Sequence, residues 1–171
     1  LPYVQKVSVG RILPDTVVIQ VEESQIAGLV EADVGGKWYI NTEGRVLGSS
    51  IDNFTGQVVE MQGFTLVNPQ TGEAAVASEG QEDAMTAALE IVGAMEGTGL
   101  MEKITTINVE KTYDIELLCG EQYQILLGGT DELSYKIQYL QAVLEELDPA
   151  LSGTIDLTFD EKSVARFREW E

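Results

Sequence analysis

The chain contains no histidine and only one cysteine, Cys119. Without histidine, neither a Ser-His-Asp triad nor a Cys-His catalytic pair can be built. A single cysteine excludes a disulfide within the chain, and the two shortages together exclude a zinc site of cysteine and histidine ligands. Cys119 ends the run 115–119, which is apolar except for Glu116, so we predict a small buried residue in a strand rather than a nucleophile.

Positive charge is also scarce. Ten Lys and Arg residues stand against 29 Asp and Glu residues, the formal net charge is -19, and no Lys or Arg occurs between residues 46 and 102. Such a field repels phosphate, which argues against nucleic-acid binding and against direct docking on an anionic lipid surface. The simplest interpretation of the acidity is a surface that keeps the domain dissolved.

Long apolar runs and cofactor motifs are missing too. No stretch approaches the roughly 20 apolar residues of a membrane helix, and neither a Gly-rich phosphate loop nor the spacing of a calcium loop is present. We therefore predict a chain that is not an enzyme and that has no catalytic residue, cofactor or metal. Because carboxylates abound, a hydrolase of cell-wall glycans with two carboxylates about 5–10 Å apart stays open as an alternative.

What the sequence does contain begins with a strand hairpin. Apolar residues alternate at positions 7 and 9 and again at 17, 19 and 21, which is the period of a strand with one buried face. Pro14 and Asp15 lie between the two runs and favour a tight turn. A hairpin alone is marginally stable in water, so it needs either the rest of this chain or residues upstream. Because the sequence starts without an initiator methionine and inside this pattern, we expect a fragment of a longer protein.

Further strand patterns follow, and two helices interrupt them. Strands are predicted at 26–30, 37–40, 45–47, 58–61, 104–109, 113–119, 123–127, 154–159 and 164–167. The region 48–79 is otherwise unassigned, apart from a turn at 68–72. Strands joined by short turns, with helices inserted singly, predict an α+β fold whose mostly antiparallel sheet is covered by two helices.

Each helix has its own sequence signals. The first follows a capping box formed by Ser78 and Gln81 and ends at the glycines of 97–99. The second runs from about Asp131 to Leu147. The residues that we expect it to bury are Leu133, Ile137, Leu140, Leu144 and Leu147. Lys136 on this helix is predicted to form an ion pair on the helix surface.

Four segments, in order along the chain, resemble the FtsQ/DivIB family of bacterial cell-division proteins. Residues 9–23 resemble the family pattern V-x-R-x-x-P-x-T-[LV]-x-I-x-V-x-E, which ends a POTRA domain. Residues 39–46 are similar to y-x-[ID]-x-x-G-x-v, and residues 126–144 are similar to v-x-l-G-x-x-d-x-l-x-x-K-x-x-x-L. Residues 155–159, Ile-Asp-Leu-Thr-Phe, are similar to the terminal v-D-L-R-[FY].

This resemblance implies a domain organisation and a function. Residues 1–24 would be the C-terminal part of a POTRA domain, and residues 25–171 would be the β domain of the family. The parent protein would be anchored in the cell membrane by a single upstream helix, with this part on the extracytoplasmic side at the division septum. It would be a non-catalytic scaffold for FtsB/DivIC-type and FtsL-type partners. A POTRA-type module of a protein-translocation assembly is a further alternative.

The two terminal strands are the predicted binding site. A strand at a chain end commonly becomes the sheet edge, and an edge carries unpaired backbone groups that another chain can complete. The resemblance places partner contact on Phe159, with Thr158, Glu161 and Phe167 as neighbours. The alternative, which stays open at this point, is that both phenylalanines fill the core at the end of the sheet.

Overall fold

The computed structural model describes residues 4–12, 14–23, 25–50, 56–158 and 166–170. Within these residues the strands are β1 (Val4–Ile12), β2 (Thr16–Glu23), β3 (Ile26–Ala32), β4 (Lys37–Asn41), β5 (Val46–Gly48), β6 (Glu60–Leu66), β7 (Thr106–Asn108), β8 (Ile115–Cys119), β9 (Tyr123–Gly128), β10 (Gly153–Asp156) and β11 (Arg166–Glu169). The helices are α1 (Glu82–Met95) and α2 (Leu133–Glu146), and a 3-10 turn spans Leu100–Glu102. No helix in these described ranges is long and apolar enough to cross a membrane.

The first two strands form a two-stranded antiparallel sheet of their own, as the alternation predicts. Val9 pairs with Ile19, and Arg11 pairs with Val17, so apolar residues of both strands share one face. Val9 and Ile19 are 68% and 64% exposed. The part of the chain that the structure describes therefore leaves this apolar face largely uncovered.

The other nine strands form one sheet in the order β11-β10-β9-β8-β7-β6-β3-β4-β5. Antiparallel neighbours outnumber parallel ones, which confirms the predicted α+β class. Three neighbouring pairs are nevertheless parallel: β3 with β6, β6 with β7, and β9 with β10. Parallel neighbours need a crossover connection, and α1 and α2 supply it for the last two pairs.

An apolar row crosses the sheet on the side that the helices cover. Its members are paired in register from strand to strand and are buried: Val30, Met61, Ile107, Leu117, Ile125 and Ile155. The buried faces of both helices belong to the same core cluster. Burying one such side chain contributes about 1.5–3 kcal/mol, so this row contributes substantially to the stability of the sheet.

The start of α1 differs from the prediction. Its N-cap residue, Gln81, makes no capping hydrogen bond with its side chain. Instead Gln81 Oε1 accepts a hydrogen bond from the backbone N–H of Thr65 at 2.9 Å, and Ser78 Oγ donates to the Thr65 carbonyl at 3.2 Å. The capping box was therefore wrong, because both side chains fasten the helix entry to β6 rather than to the helix itself.

Lys136 was also wrongly assigned to a surface ion pair. It is 6% exposed, and its ammonium donates to the carbonyls of Leu127 and Gly129 at 2.9 and 3.0 Å. Burial lowers the pKa of Lys136, and the nearby Asp131 and Glu132 raise it in part. The ammonium therefore ties α2 to the end of β9, where carbonyl oxygens replace the water that burial removes.

Several element bounds shift from their predicted positions. On α2, Ile137 and Leu140 are buried as predicted, whereas Leu133, Leu144 and Leu147 are only partly buried. The strand predicted at 58–61 is β6, which begins at Glu60 and extends to Leu66. The extension was missed because it passes through Gly63, whose φ is +107° and whose missing side chain leaves room for the backbone at Glu110. Sequence periodicity does not report such a close approach.

Candidate interaction edge

The structure places two of the four predicted partner-binding residues at one end of the nine-stranded sheet. Thr158 is exposed just after β10, and Phe167 is half-buried within β11. Phe159 and Glu161 lie outside the described residues. The structure confirms that two strands pair at this end of the chain. They pair at 153–156 and 166–169, whereas the sequence predicted strands at 154–159 and 164–167.

Strand β11 is the last strand of the sheet, and its one neighbour among the described residues is β10. The backbone N–H of Trp170, just beyond β11, donates to the Ser152 carbonyl at 3.0 Å. Because inward-facing and outward-facing backbone groups alternate along an antiparallel strand, Arg168 and Arg166 also face β10. The backbone groups of Phe167 and Glu169 therefore face away from the sheet.

The side chain of Phe167 packs inward, on the helix-covered side of the sheet. It pairs with Ile155 at the end of the apolar row and packs against the core. Its ring lies edge-on to that of Tyr123, with 6.3 Å between centroids. A Cβ atom on Gly153 would come within 2.7 Å of the Phe167 ring. Phe167 therefore anchors β11 to the core through contacts within this chain, and this role does not require a partner.

The opposite side of the same strand is polar and positively charged. Arg166 and Arg168 are exposed and pair across the sheet with Asp156 and Thr154. The Trp170 ring nitrogen donates to Thr154 Oγ1 at 3.0 Å, which adds a second attachment of the edge strand to β10. The edge strand is therefore held by one aromatic side chain on each face of the sheet.

Asp156 ends β10 in a short hydrogen-bonded turn. The hydroxyl and the backbone N–H of Thr158 donate to Asp156 Oδ1 at 2.6 and 3.0 Å. These two bonds hold the pKa of the Asp156 carboxyl below its ordinary value, and the charges of Arg166 and Arg168 lower it further. Thr158 therefore has a structural role in stopping β10, besides the partner contact predicted for it.

The other end of the sheet is closed. The backbone N–H of Val46 in β5 donates to the Glu73 carbonyl, and Gly72 donates back to Val46, both at 2.8 Å. Arg45 forms a β-bridge with Ala74. The segment 72–75 therefore occupies the outer side of β5, which leaves β11 as the end of the sheet without a covering segment among the described residues.

Two surface grooves are alternative candidates for a site. The first, of about 410 Å³, lies between α1 and the loops 112–113 and 129–131 and contains Asp83, Glu90 and Asp131. All three carboxylates are exposed. A glycosidase holds its two carboxylates on either side of the bond that it cleaves, whereas the carboxylates of this groove lie on an exposed surface.

The second groove, of about 340 Å³, includes Cys119 together with Lys103, Tyr123 and residues at the end of α2. Cys119 lies in β8 as predicted and is half-buried. Burial raises the pKa of its thiol, and Lys103 lowers it in part. A raised pKa keeps the thiol protonated, which disfavours nucleophilic chemistry. Within the described residues no cluster of three metal-ligating side chains occurs.

The sequence analysis missed three features of the edge. They are the space that Gly153 leaves for the Phe167 ring, the hydrogen bond from Trp170 to Thr154, and the two arginines of β11. A signal for the arginines was present, since Arg166 and Arg168 flank an aromatic residue in a chain with few basic residues. The space over Gly153 has no such signal, because it depends on which strand lies opposite.

Comparison with known families gives a match over most of the chain. Residues 28–158 match the model described as cell division protein FtsQ/DivIB, C-terminal. The matched region runs from β3 to the end of β10 and therefore covers most of the nine-stranded sheet and both helices. A search among curated proteins finds no matching relative.

Proposed function

We propose that this chain, which belongs to the FtsQ/DivIB family of cell-division proteins, is a scaffold. It would bind its partners by strand addition at β11. The family is one of membrane-anchored, non-catalytic division proteins. The proposed partners are small single-pass proteins of the FtsB/DivIC and FtsL types. The proposed location is the extracytoplasmic side of the division septum, with the membrane helix upstream of this chain.

The observation that carries this proposal is the difference between the ends of the sheet. Backbone groups of Phe167 and Glu169 face outward from β11, so an extended peptide could pair with them. The Phe167 and Trp170 contacts hold β11 against β10. A strand that is already fixed offers its hydrogen-bonding groups without a further ordering cost.

The terminal ribbon of β1 and β2 fits the same assignment. Its exposed apolar face, which includes Val9 and Ile19, is suited to packing in a larger domain. We propose that residues 1–24 are the C-terminal part of a POTRA domain and that residues 25–171 are the β domain. The ribbon would then lie in a different cooperative unit from the nine-stranded sheet.

A proline at Glu169 tests the addition of a strand. Proline removes a backbone N–H that faces away from β10, and edge strands tolerate proline at such positions. We expect Glu169→Pro to weaken binding of the soluble ectodomain of the cognate FtsB/DivIC-type protein by about tenfold or more. The matched Glu169→Ala variant, which keeps the N–H, should bind within about twofold of the parent chain.

Binding is measured by calorimetry, and circular dichroism checks the fold of each variant. Phe159→Lys is included in the same series, because the family resemblance places an aromatic partner contact at Phe159. If folded Glu169→Pro binds as tightly as Glu169→Ala, the partner does not add a strand at this edge.

A further inference from the structure

We infer that the strand that adds to β11 carries carboxylates at alternate positions, opposite Arg166 and Arg168; this inference rests on the proposed strand addition. It concerns which extended peptides the edge accepts. β11 alternates in character, with Arg166 and Arg168 on the open face and Phe167 and Glu169 on the helix-covered side.

Within the described part of the chain the guanidinium groups of β11 form no ion pair, although their charges lower the pKa of Asp156 from a longer distance. Ion pairs there join Lys37 to Glu60 and Lys111 to Asp114, whereas Arg166 and Arg168 are exposed and have no carboxylate within 4.0 Å among the described residues. The chain has ten basic residues and a net charge of -19. Two guanidinium groups with no ion-pair partner among the described residues therefore make this four-residue edge strand locally positive in an acidic molecule.

The backbone geometry places these arginines where cross-strand contact is closest. Arg166 and Arg168 direct their backbone groups toward β10, so a strand added in antiparallel orientation meets them at non-hydrogen-bonded positions. Residues at such positions have Cα atoms about 4.5 Å apart, and their side chains approach most closely. A carboxylate at each position can accept two parallel hydrogen bonds from the guanidinium fork.

The same geometry restricts the positions between the carboxylates. Those side chains lie on the side of Phe167 and Glu169, where the charge is negative and the Phe167 ring covers Gly153. An apolar side chain fits there better than a carboxylate, because it extends the apolar row and avoids like charge. The pattern that complements β11 is therefore acidic, apolar, acidic.

A second copy of this chain does not fit the edge. Two β11 strands can pair through their outward groups in three antiparallel registers: Phe167 opposite Phe167, Phe167 opposite Glu169, or Glu169 opposite Glu169. The first two place arginine directly opposite arginine, and the third places glutamate opposite glutamate. Like charges directly opposite destabilise a strand pair, so the edge is protected from pairing with itself.

The test uses two nine-residue peptides that alternate valine with either glutamate or lysine, titrated into the isotopically labelled chain and followed by NMR. The glutamate peptide should bind at least about fivefold more tightly than the lysine peptide, and shifts should be centred on Arg166–Trp170. Arg166→Glu/Arg168→Glu should reverse this order. Lys103→Glu/Lys111→Glu, which changes the net charge equally, should leave it unchanged.

The outcomes separate the inference from the proposed function. Equal binding of both peptides to the parent chain, or no binding of either at millimolar concentration, overturns the charge pattern. Strand addition would still be supported in that case if the parent chain binds the FtsB/DivIC-type ectodomain and Glu169→Pro does not. An ectodomain that binds equally to the parent and to Glu169→Pro overturns strand addition, whichever peptide the chain prefers.

Discussion

The two ends of the nine-stranded sheet differ in whether the outward backbone groups of the edge strand have hydrogen-bond partners within the described part of the chain. At β5, the segment 72–75 pairs with the outer side of the strand, so both backbone groups of Val46 are satisfied within the chain. At β11, aromatic side chains fasten the strand inward, while the outward backbone groups of Phe167 and Glu169 meet no described segment. A sheet can therefore keep one edge available for a partner while it closes the other.

The closed end should be the more sensitive to mutation. Asn41 is 1% exposed, and its Oδ1 accepts hydrogen bonds from the backbone N–H groups of Glu43 and Arg45 at 3.1 and 2.7 Å. Asn41→Ala leaves both donors without this acceptor, which should lower the free energy of unfolding by roughly 2–3 kcal/mol. Urea denaturation measures the effect.

The same variant should leave partner binding almost unchanged once it is folded, because β11 lies at the other end of the sheet. A loss of stability below about 0.5 kcal/mol would mean that the Asn41 bonds do not hold the β4–β5 turn. The two edges would then be less different than their hydrogen bonds indicate.

The open end should respond to a single methyl group under the edge strand. Gly153→Ala places a Cβ atom against the Arg168 carbonyl and 2.7 Å from the Phe167 ring. Overpacking of this kind costs about 1–2 kcal/mol and should displace β11 rather than unfold the sheet. Faster amide exchange at Trp170, whose N–H bonds to Ser152, measures the displacement.

Gly93→Ala in α1 is the matched control, because a Cβ atom there meets nothing within 4 Å. Alanine is the better helix former, so this variant should be neutral or slightly stabilising. Unchanged exchange at Trp170 in a folded Gly153→Ala protein would show that the Phe167 ring can move aside without releasing the edge.

The smallest expected effect concerns acid at the open end. Because the pKa of Asp156 is lowered in the folded chain, its contribution to stability is present at neutral pH and is lost as the pH falls through that lowered value. Thr158→Val removes the hydroxyl donor and keeps the backbone donor. The pKa of Asp156 should therefore rise part of the way toward its ordinary value near 3.8.

Carboxyl chemical shifts of Asp156 across an acid titration measure this change. Ser152→Ala is the control: the Asp156 carboxylate accepts its hydrogen bonds from Thr158 rather than from Ser152, so the pKa of Asp156 should stay in place. An Asp156 pKa that is the same in Thr158→Val and in the parent chain would assign the lowering to the backbone bond and the arginines instead.

The sequence predicted local elements well where periodicity and turn residues agree. The β1–β2 pair, the two helices and the terminal strands were all placed from alternation, helical spacing and Pro or Gly positions. It failed where a side chain has two possible partners. Ser78 and Gln81 could cap a helix or bind a strand, and Lys136 could find a carboxylate or two carbonyls.

The parallel strand pairs also separate what local sequence predicts from what it does not. Local pattern identified β6, β7, β9 and β10 as strands, and it identified the helices between them. It did not predict that each helix carries the chain across to a parallel neighbour. Strand order depends on which apolar faces can be buried together, and that choice involves residues far apart in the sequence.

By itself, the sequence determined the acidic composition, the absence of histidine chemistry, the element types and the ordered motifs of the family, because these depend on residue identity and local spacing. The tertiary structure decided which end of the sheet is closed and which side of β11 faces outward. It also decided that Phe167 lies over Gly153 while Arg166 and Arg168 remain on the surface. Those properties arise only when distant strands are paired in register, since pairing decides which backbone groups are used and which remain available.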